Sequence, residues 1–419
     1  MKTIRLGDIC EKIGSGATPR GGSEVYQSSG VALIRSQNVY NDGFKKDGLA
    51  YITNQHAKEL ENVTVKHGDV LLNITGDSVA RVCQVPEELL PARVNQHVAI
   101  IRPWEDVLYA RYLRYFLISP EMQQYMLSLA SAGATRQALT KGMIEAFEVP
   151  APPLPEQKAI ASILGALDDK IELNRKMNET LEAMARAIFK SWFVDFDPIP
   201  GLGPHKEWQD SPLGKIPKGW EVKTVADMVE LYKDIINPVD FPDEMFEHFS
   251  IPAYDVGQMP TQDLASIIKS NKFLLPENCI LISKLNPRIP RVWFPKINKI
   301  CRSIASTEFL VLVPKRPYTC EFIYSLCISS SFHQDTFVSL VTGTSSSHQR
   351  VKPEDLLVIK IISPSDVALK TFSERVEPLF KQFQSNKEQY RTLATIRDVL
   401  LPQLLSGEIR VKDVERVIS

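Results

Sequence analysis

No CxxC pair occurs among the six cysteines, Cys10, Cys83, Cys279, Cys301, Cys320 and Cys327, and none is spaced with the seven histidines as metal ligands are. They read as reduced, mostly buried thiols. An excess of charge is also missing, since 49 Lys and Arg face 50 Asp and Glu for a net charge of −1. The chain as a whole therefore does not announce a polyanionic partner. No apolar run of 18 residues occurs, and the opening MKTIRLGDICEKIGSG lacks the apolar centre of a signal peptide. The expectation is a cytoplasmic protein with no membrane segment.

Enzymatic motifs are equally scarce. No P-loop is present, which excludes ATP hydrolysis by that route. An adenine methyltransferase would need a glycine-rich methyl-donor loop and an Asn/Asp-Pro-Pro-aromatic motif to hold the flipped base. Asp197-Pro198-Ile199-Pro200 lacks the second adjacent proline and the aromatic, and Gly14-Ser15-Gly16 precedes Thr18-Pro19 rather than a helix. Both read as turns. Asp210 with Glu221-Val222-Lys223 has a passable nuclease spacing, but it falls in a linker and at a domain start.

What the chain does contain is itself, twice. Shifted by 209 to 212 residues, five blocks match in the same order. GDVLLNI (68–74) lies over ENCILIS (277–283), and NQHVAIIRP (95–103) over STEFLVLVP (306–314). YFLISPEMQQYMLSLASAG (115–133) lies over YSLCISSSFHQDTFVSLVTG (324–343), and TRQALTKGMIEAFEVPAP (135–152) over SHQRVKPEDLLVIKIISP (347–364). NETLEAMARAIFKSWF (178–193) matches the run beginning QYRTLATIRD at 389.

In each copy, runs such as VALIRS (31–36), DVLLNI (69–74), HVAIIR (97–102) and EFLVLV (308–313) predict strands, while Leu108–Leu129 and Glu321–Leu340 predict helices. The fold class expected is α+β: two similar mixed modules, each followed by a long helix. The boundaries are 1–152 for the first module, 153–194 for a spacer helix, 195–219 for a Pro- and Gly-rich ordered linker, 220–363 for the second module and 364–419 for the second helix and tail.

The helices read as a matched pair. Heptads counted from Ile160 place Leu167, Asn174 and Leu181 at a positions, and Lys170 and Met184 at d. A shift of 212 places Leu379, Asn386 and Leu393 in the equivalent slots. An asparagine in an apolar seam weakens packing but fixes register, so an antiparallel pair bringing Asn174 to Asn386 is expected. The alternative is two helices docked separately, with Asn174 facing water. Ser363-Pro364-Ser365-Asp366 resembles a capping box, Gly407 a C-terminal stop, and Pro378 and Pro402 should kink the second helix.

The segments PLPEQKAIASILGALDDKIELNRKMNETLEAMARAIFKSWFVDF (153–196), LGKIPKGWE (213–221) and TIRDVLLPQLLSGEI (395–409) resemble the specificity subunits of type I restriction–modification enzymes. The opening IRLGDICEKIGSGATPRGG (4–22) and VALIRSQNV (31–39) look like the start of that family's first recognition domain. The resemblance implies two target-recognition domains that each read half of a split double-stranded DNA sequence, with an antiparallel coiled coil as the ruler between them. It also implies two docked methyltransferase subunits and motor-nuclease restriction subunits, acting in phage defence. No cofactor belongs to this chain on that reading; S-adenosylmethionine, ATP and Mg²⁺ belong to the partners.

DNA reading needs polar and basic side chains on loops. In the first copy the candidates are Arg35, Ser36, Gln37, Asn38, Arg81, Asn95, Gln96, His97, Arg136, Gln137 and Lys141. In the second they are Lys284, Asn286, Arg288, Arg291, Ser346, His348, Gln349, Arg350 and Lys352. Two rivals stand beside this reading: a single-chain methyltransferase or nuclease, and a scaffold whose modules bind protein. The stretch from Asp227 to Asp263, with nine acidic residues and one lysine, leaves room for a protein-facing surface.

Overall fold

The computed structural model describes residues 3–131, 137–297, 300–341 and 349–418. The chain divides into two compact units, Met1–Lys170 with Leu393–Ser419, and Ile171–Thr392. Each contains one module together with one half of each long helix.

The first module is built from two four-stranded sheets. One has the order Cys10–Ser15, Val98–Pro103, Val70–Asn73, Val82–Gln84, with all neighbours antiparallel. The other has the order Ala50–Ile52, Val31–Ile34, Ala92–Val94, Thr64–Val65, with Val31–Ile34 parallel to Ala92–Val94. The runs VLLN and VAII do not alternate because both their faces are buried. Val70, Leu72, Ala99 and Ile101 pack on helices, while Leu71, Val98 and Ile100 pack on the second sheet. Strand Thr3–Arg5 pairs with Glu148–Pro150 and ties the start of the module to its end.

The second module repeats the plan strand for strand. Val229–Tyr232, Phe309–Pro314, Ile280–Ser283 and Val292–Trp293 form the first sheet. Thr261–Leu264, Met245–Phe249, Ser303–Ser306 and Lys272–Leu274 form the second, with the same single parallel pair and an added edge strand, Ile235–Ile236. Glu221–Thr224 pairs with Lys360–Ser363 as Thr3–Arg5 does with Glu148–Pro150.

Two expected helices divide. Leu108–Leu129 becomes Ala110–Ile118 and Pro120–Ser131, because Pro120 pushes Ser119 into an extended conformation. Glu321–Leu340 becomes Cys320–Ile328, then Ser330–Phe332 and two irregular turns, with the Ser329 hydroxyl capping the restart. Gly14 and Ser15 belong to a strand rather than a turn. The Pro- and Gly-rich linker contains a hairpin, Trp208–Ser211 with Gly214–Pro217.

The central helix spans Leu154–Phe193 and the C-terminal helix Asp366–Ser406. The cap of the latter is Ser365, whose hydroxyl accepts from the Ala368 amide, while Ser363 belongs to the preceding strand. Gly407 ends it at φ +77°, as expected. The helix runs unbroken through Pro378 and Pro402, against expectation. Pro378 lies on the exposed side, where water can satisfy the carbonyl it frees, while Val376 and Phe380 anchor the buried side.

The helices pack antiparallel within each unit. In the first unit Ile160, Ala161 and Leu164 share a core with Leu401, Leu404 and Leu405. In the second, Ala185, Phe189, Trp192 and Phe193 share one with Leu369, Phe372 and Val376. Phe193 and Phe372 lie edge to face with centroids 5.0 Å apart. The buried stripe differs from the expected a/d seam. Lys170 and Met184 are exposed, whereas Leu164, Ile171, Ala185 and Trp192, one position after d, are buried. Each helix must cover its module as well as its partner, and that widens and rotates the apolar face. Leu167, Leu181, Leu379 and Leu393 are half-buried at the margin of this stripe.

Asn174 and Asn386 are both buried, so neither faces water. They do not pair with each other as expected. Asn174 Nδ2 donates to Gln389 Oε1 at 3.3 Å, and Asn386 Nδ2 donates to Asn178 Oδ1 at 2.9 Å. Asn178 Nδ2 also donates to the Phe383 carbonyl. Antiparallel neighbours slide past one another by a turn, so the notch is a ladder of amides rather than a single pair.

In the first unit a partly buried ion cluster reinforces the pairing. Asp168 receives Arg114 at 2.8 Å, Arg397 at 3.0 Å and the Tyr115 hydroxyl at 2.7 Å, joining the module to both long helices. Burial alone would raise the Asp168 pKa, but Arg114 beside it and the donated hydrogen bonds hold it below the usual carboxylate range. A depressed folded pKa contributes stability that is complete above the unfolded value of about 3.9 and is lost as pH falls through the folded one. Asp168→Asn should therefore cost roughly 3–5 kcal/mol near neutral pH. In urea titrations the difference from wild type should shrink below about pH 4; an unchanged difference down to acid pH would refute the ion-pair account.

Candidate nucleic-acid interface

The first module gathers its loops at one end of the sheets. Strand Val70–Asn73 ends in Asn73, whose side-chain amide donates to the Ser36 carbonyl at 2.9 Å. The Ile74 amide donates to the carbonyl of His97, and the Gly76 amide to that of Gln137. Thr75 bridges to Ala138, and the Asn95 amide donates to the Ile34 carbonyl. Segments 35–38, 74–81, 95–97 and 137–141 are thus joined into one edge by main-chain bonds. Their side chains need not hold the loops in place, and several are free to meet a ligand.

Residues on this edge fall into two groups. Asn38 is fully buried; its Oδ1 accepts from the Arg35 amide and its Nδ2 donates to the carbonyls of Lys45 and Asp47. Asn95 is also buried, with Oδ1 accepting from the His97 amide. Both are scaffold, and burial removes them from the surface a ligand could reach. Ser36 contributes its carbonyl to Asn73. The remaining candidates among the described residues are accessible in whole or part.

Arg35 lies beside the Tyr26 ring and donates to the Gly48 carbonyl. Arg81 lies 4.5 Å from the centroid of Tyr40. His97 sits between the Thr75 hydroxyl, 2.6 Å from Nδ1, and the Gln96 amide, 3.1 Å from Nε2, and Gln96 also receives the Thr18 hydroxyl. Gln37, Gln137 and Lys141 are exposed; Lys141 pairs with Glu145 one turn along its helix. Arg136 lies outside the described residues.

The second module gathers the corresponding loops. Leu285 bridges to Arg350 as Thr75 does to Ala138, and the Asn286 amide donates to the Gln349 carbonyl as Gly76 does to Gln137. The Lys284 amide donates to Glu308, and its carbonyl accepts from Val351. Asn286 adopts φ +47°, a conformation asparagine tolerates better than most residues.

Here two of the expected arginines are engaged by carboxylates. Arg291 is buried and grips Asp255 through Nε at 2.6 Å and Nη2 at 2.9 Å. Arg350 is exposed and grips Glu308 through two 3.0 Å bonds. Arg291 is structural on this geometry, whereas Arg350 could exchange its carboxylate for a phosphate or a base edge. Lys284 and Gln349 are half-buried, and Arg288 and Lys352 are exposed. Ser346 and His348 lie outside the described residues.

Sequence reasoning missed Thr18, Tyr26, Tyr40 and Thr75, which orient the first edge, and Asp255, which neutralises Arg291. Extending the repeat across 74–78 and 284–288 would have found Thr75. The aromatic partners come from distant loops and left no local signal.

A catalytic reading gains little. Among the described residues no group of three His, Cys, Asp or Glu side chains is placed to hold a metal. Asp210, Glu221 and Lys223 do line one depression of about 490 Å³. Glu221 is paired with Lys223 at 3.2 Å, however, and the neighbouring Asp227 caps its own helix through Thr224.

Residues 1–183 match the family model described as the type I restriction modification DNA specificity domain. The chain is 27% identical over 421 residues to the type I restriction enzyme MjaIX specificity subunit of Methanocaldococcus jannaschii, covering 98% of this chain and 94% of that one. It is 25% identical to the HindI specificity subunit of Haemophilus influenzae, covering 97% of this chain and 99% of that one. Among solved structures it resembles the type I restriction–modification S subunit of M. genitalium, with a TM-score of 0.55 at 14% identity over 96% of this chain and 95% of that one. That structural likeness concerns the fold.

The division into scaffold and accessible residues can be tested on stability alone. Asn38→Ala strands three main-chain groups and should cost about 2–3 kcal/mol, whereas Gln37→Ala, on the exposed neighbour, should cost less than about 1 kcal/mol. Urea unfolding of the two variants measures this, and equal costs would undo the assignment.

Proposed function

We propose, from the likeness of this chain to type I restriction–modification specificity subunits, that it is a non-catalytic reader of a two-part DNA sequence. Each module meets one half-site through its loop edge. The observation that carries this reading is the repeated edge itself: corresponding main-chain bonds present unlike side chains. Thr75 and Gly76 answer to Leu285 and Asn286, and His97 to Glu308. One scaffold displaying two chemistries suits a reader of two different half-sites.

Under this proposal Arg35, Gln37, Arg81, Gln96, His97, Gln137 and Lys141 serve the first half-site. Lys284, Asn286, Arg288, Gln349, Arg350 and Lys352 serve the second; Arg136 is assigned to the first half-site, and Ser346 and His348 to the second. Ser36, Asn38, Asn95 and Arg291 support the edges. The long helices act as the ruler, and methyltransferase subunits, two per chain, dock with restriction subunits to complete the assembly. Exposed Leu173, Met184, Ile396 and Val399 on the helices support such docking. S-adenosylmethionine, ATP and Mg²⁺ are expected on those partners.

Replacing residues 220–363 by the corresponding module of a relative tests the reading. Methylated sites mapped in cells carrying the chimera and the cognate methyltransferase should change in one half and keep the other; an unchanged site would refute it. Deleting four residues from each long helix shortens each by about 6 Å. The gap between half-sites should then change, by about one to two base pairs at 3.4 Å each. A gap identical to wild type would dismiss the ruler.

A further inference from the structure

Both modules place an arginine at the same point of the scaffold and treat it in opposite ways. Asn73 pairs with Val98 and Ser283 with Phe309, positions that the 95–103 and 306–314 blocks set over one another. Strand pairing thus sets Asn73 over Ser283, an offset of 210 and one residue beyond that of the aligned 68–74 run. On the next strand Leu72 pairs with Val82 as Ile282 does with Val292. The Asn73 amide donates to the Arg81 carbonyl and the Ser283 amide to that of Arg291, each at 2.9 Å. Arg81 and Arg291 are therefore equivalent residues, each closing the connection between the same two strands.

In the second module the arginine is neutralised. Arg291 is 7% exposed, and the Asp255 carboxylate takes its Nε and Nη2 donors. Asp255 comes from helix Ile251–Gly257, which follows strand Met245–Phe249. The strand with the same parallel pairing in the first module, Val31–Ile34, leads instead into the single turn Ser36–Asn38, which contains no carboxylate. Arg81 lies over the Tyr40 ring, which consumes none of its N–H donors. Lys45, the other cation near that ring, is held by Asp42 at 2.8 Å. Among the described residues the half-buried Arg81 guanidinium has no ion pair and no hydrogen bond.

The backbone before it differs as well. Ala80 adopts φ +71° and is fully buried. Its amide donates to the Asn73 carbonyl, and its own carbonyl accepts from Gln123 Nε2 at 2.8 Å. The counterpart is Pro290, whose ring forbids a positive φ. The chain therefore enters the two arginines by different routes. A left-handed alanine fixed by buried bonds keeps one side-chain direction despite the strain, as happens where that direction is used.

We infer, resting on the reader function proposed above, that Arg81 reads a guanine of the first half-site through O6 and N7 in the major groove, and that the second module makes no such contact at the equivalent point. A phosphate contact would serve both modules alike, because the DNA backbone is the same at either half-site. A base contact has to differ between unlike half-sites, and here one arginine is open while its counterpart is neutralised. Guanine is the base that offers two acceptors to a guanidinium fork. Tyr40 positions that fork, and Asp255 removes its equivalent from use.

Mapping methylated sites in cells that carry Arg81→Ala or Arg81→Lys with the cognate methyltransferase tests the inference. Both variants should accept other bases at one G·C pair of the first half and keep the second half intact, since lysine retains the charge but not the fork. A second measurement uses the wild-type chain in its methyltransferase complex. Each guanine of the first half-site is replaced in turn by 7-deazaguanine, which lacks the N7 acceptor. At one position binding should weaken by about fivefold or more, and the Arg81→Ala complex should not respond to that replacement. A first half-site without a G·C pair, or no response to 7-deazaguanine at any position, overturns the inference. So does an Arg81→Ala complex that keeps the wild-type site, or one weakened equally on all sequences with a shallower salt dependence, the mark of a lost phosphate contact. A wild-type complex that marks no two-part site would instead sink the reader proposal.

Discussion

Neither module closes its own core, and the long helices are what closes it. The helix-facing side of each central sheet is covered partly by its own short helices and partly by two antiparallel segments from the ends of the chain's longest elements. In the first unit these segments supply Ile160, Leu164, Leu401 and Leu404; in the second they supply Phe189, Trp192, Phe372 and Val376. An isolated 40-residue helix gains little from propensity alone, so its order comes from this burial. The dependence is mutual. Removing the helix pair would expose an apolar sheet face in each unit, and removing a module would leave half of each helix without a surface to cover.

That shared core fixes direction but not register, because leucines and phenylalanines pack acceptably in neighbouring positions. Polar groups supply what apolar packing lacks. The amides of Asn174, Asn178, Asn386 and Gln389 have partners in only one alignment, and sliding by a turn would leave several buried without a bond. In the first unit Asp168 does the same work with charge, since Arg114 belongs to the module and Arg397 to the C-terminal helix. The two devices differ in cost. The amides tolerate acid, whereas the carboxylate loses its contribution once protonated.

Much of this was legible in the sequence, for physical reasons that also explain what was not. The duplication was readable because both copies bury the same strands on two faces, which preserves apolar runs such as DVLLNI and ENCILIS while surface residues diverge. The polar notch was readable because asparagine in an apolar stripe is conspicuous. Its partner was not, because one turn of offset between antiparallel helices depends on how each docks on its module. The heptad count failed at Lys170 and Met184 for the same reason: it assumes one packing surface where there are two. Pro378 misled because exposure decides whether a lost helical hydrogen bond must be replaced by protein, and exposure is a tertiary property.

The candidate edge was legible as segments rather than as residues. Loops that terminate buried strands can be located from the strands, so 35–38, 95–97 and 284–291 were found. Which polar side chains are turned inward depends on the surrounding loops. Asn38 and Gln37 are neighbours of similar chemistry, yet one is spent on three main-chain bonds and the other is exposed. Arg291 and Arg350 each face a carboxylate, but only Arg350 lies where water competes for it, and so only Arg350 can be released cheaply to another anion. Comparing the repeats supplies a criterion that neither copy offers alone. A polar group repeated in both modules is explained by the fold, whereas one that differs between them on equivalent main-chain bonds, as His97 differs from Glu308, needs an explanation outside it.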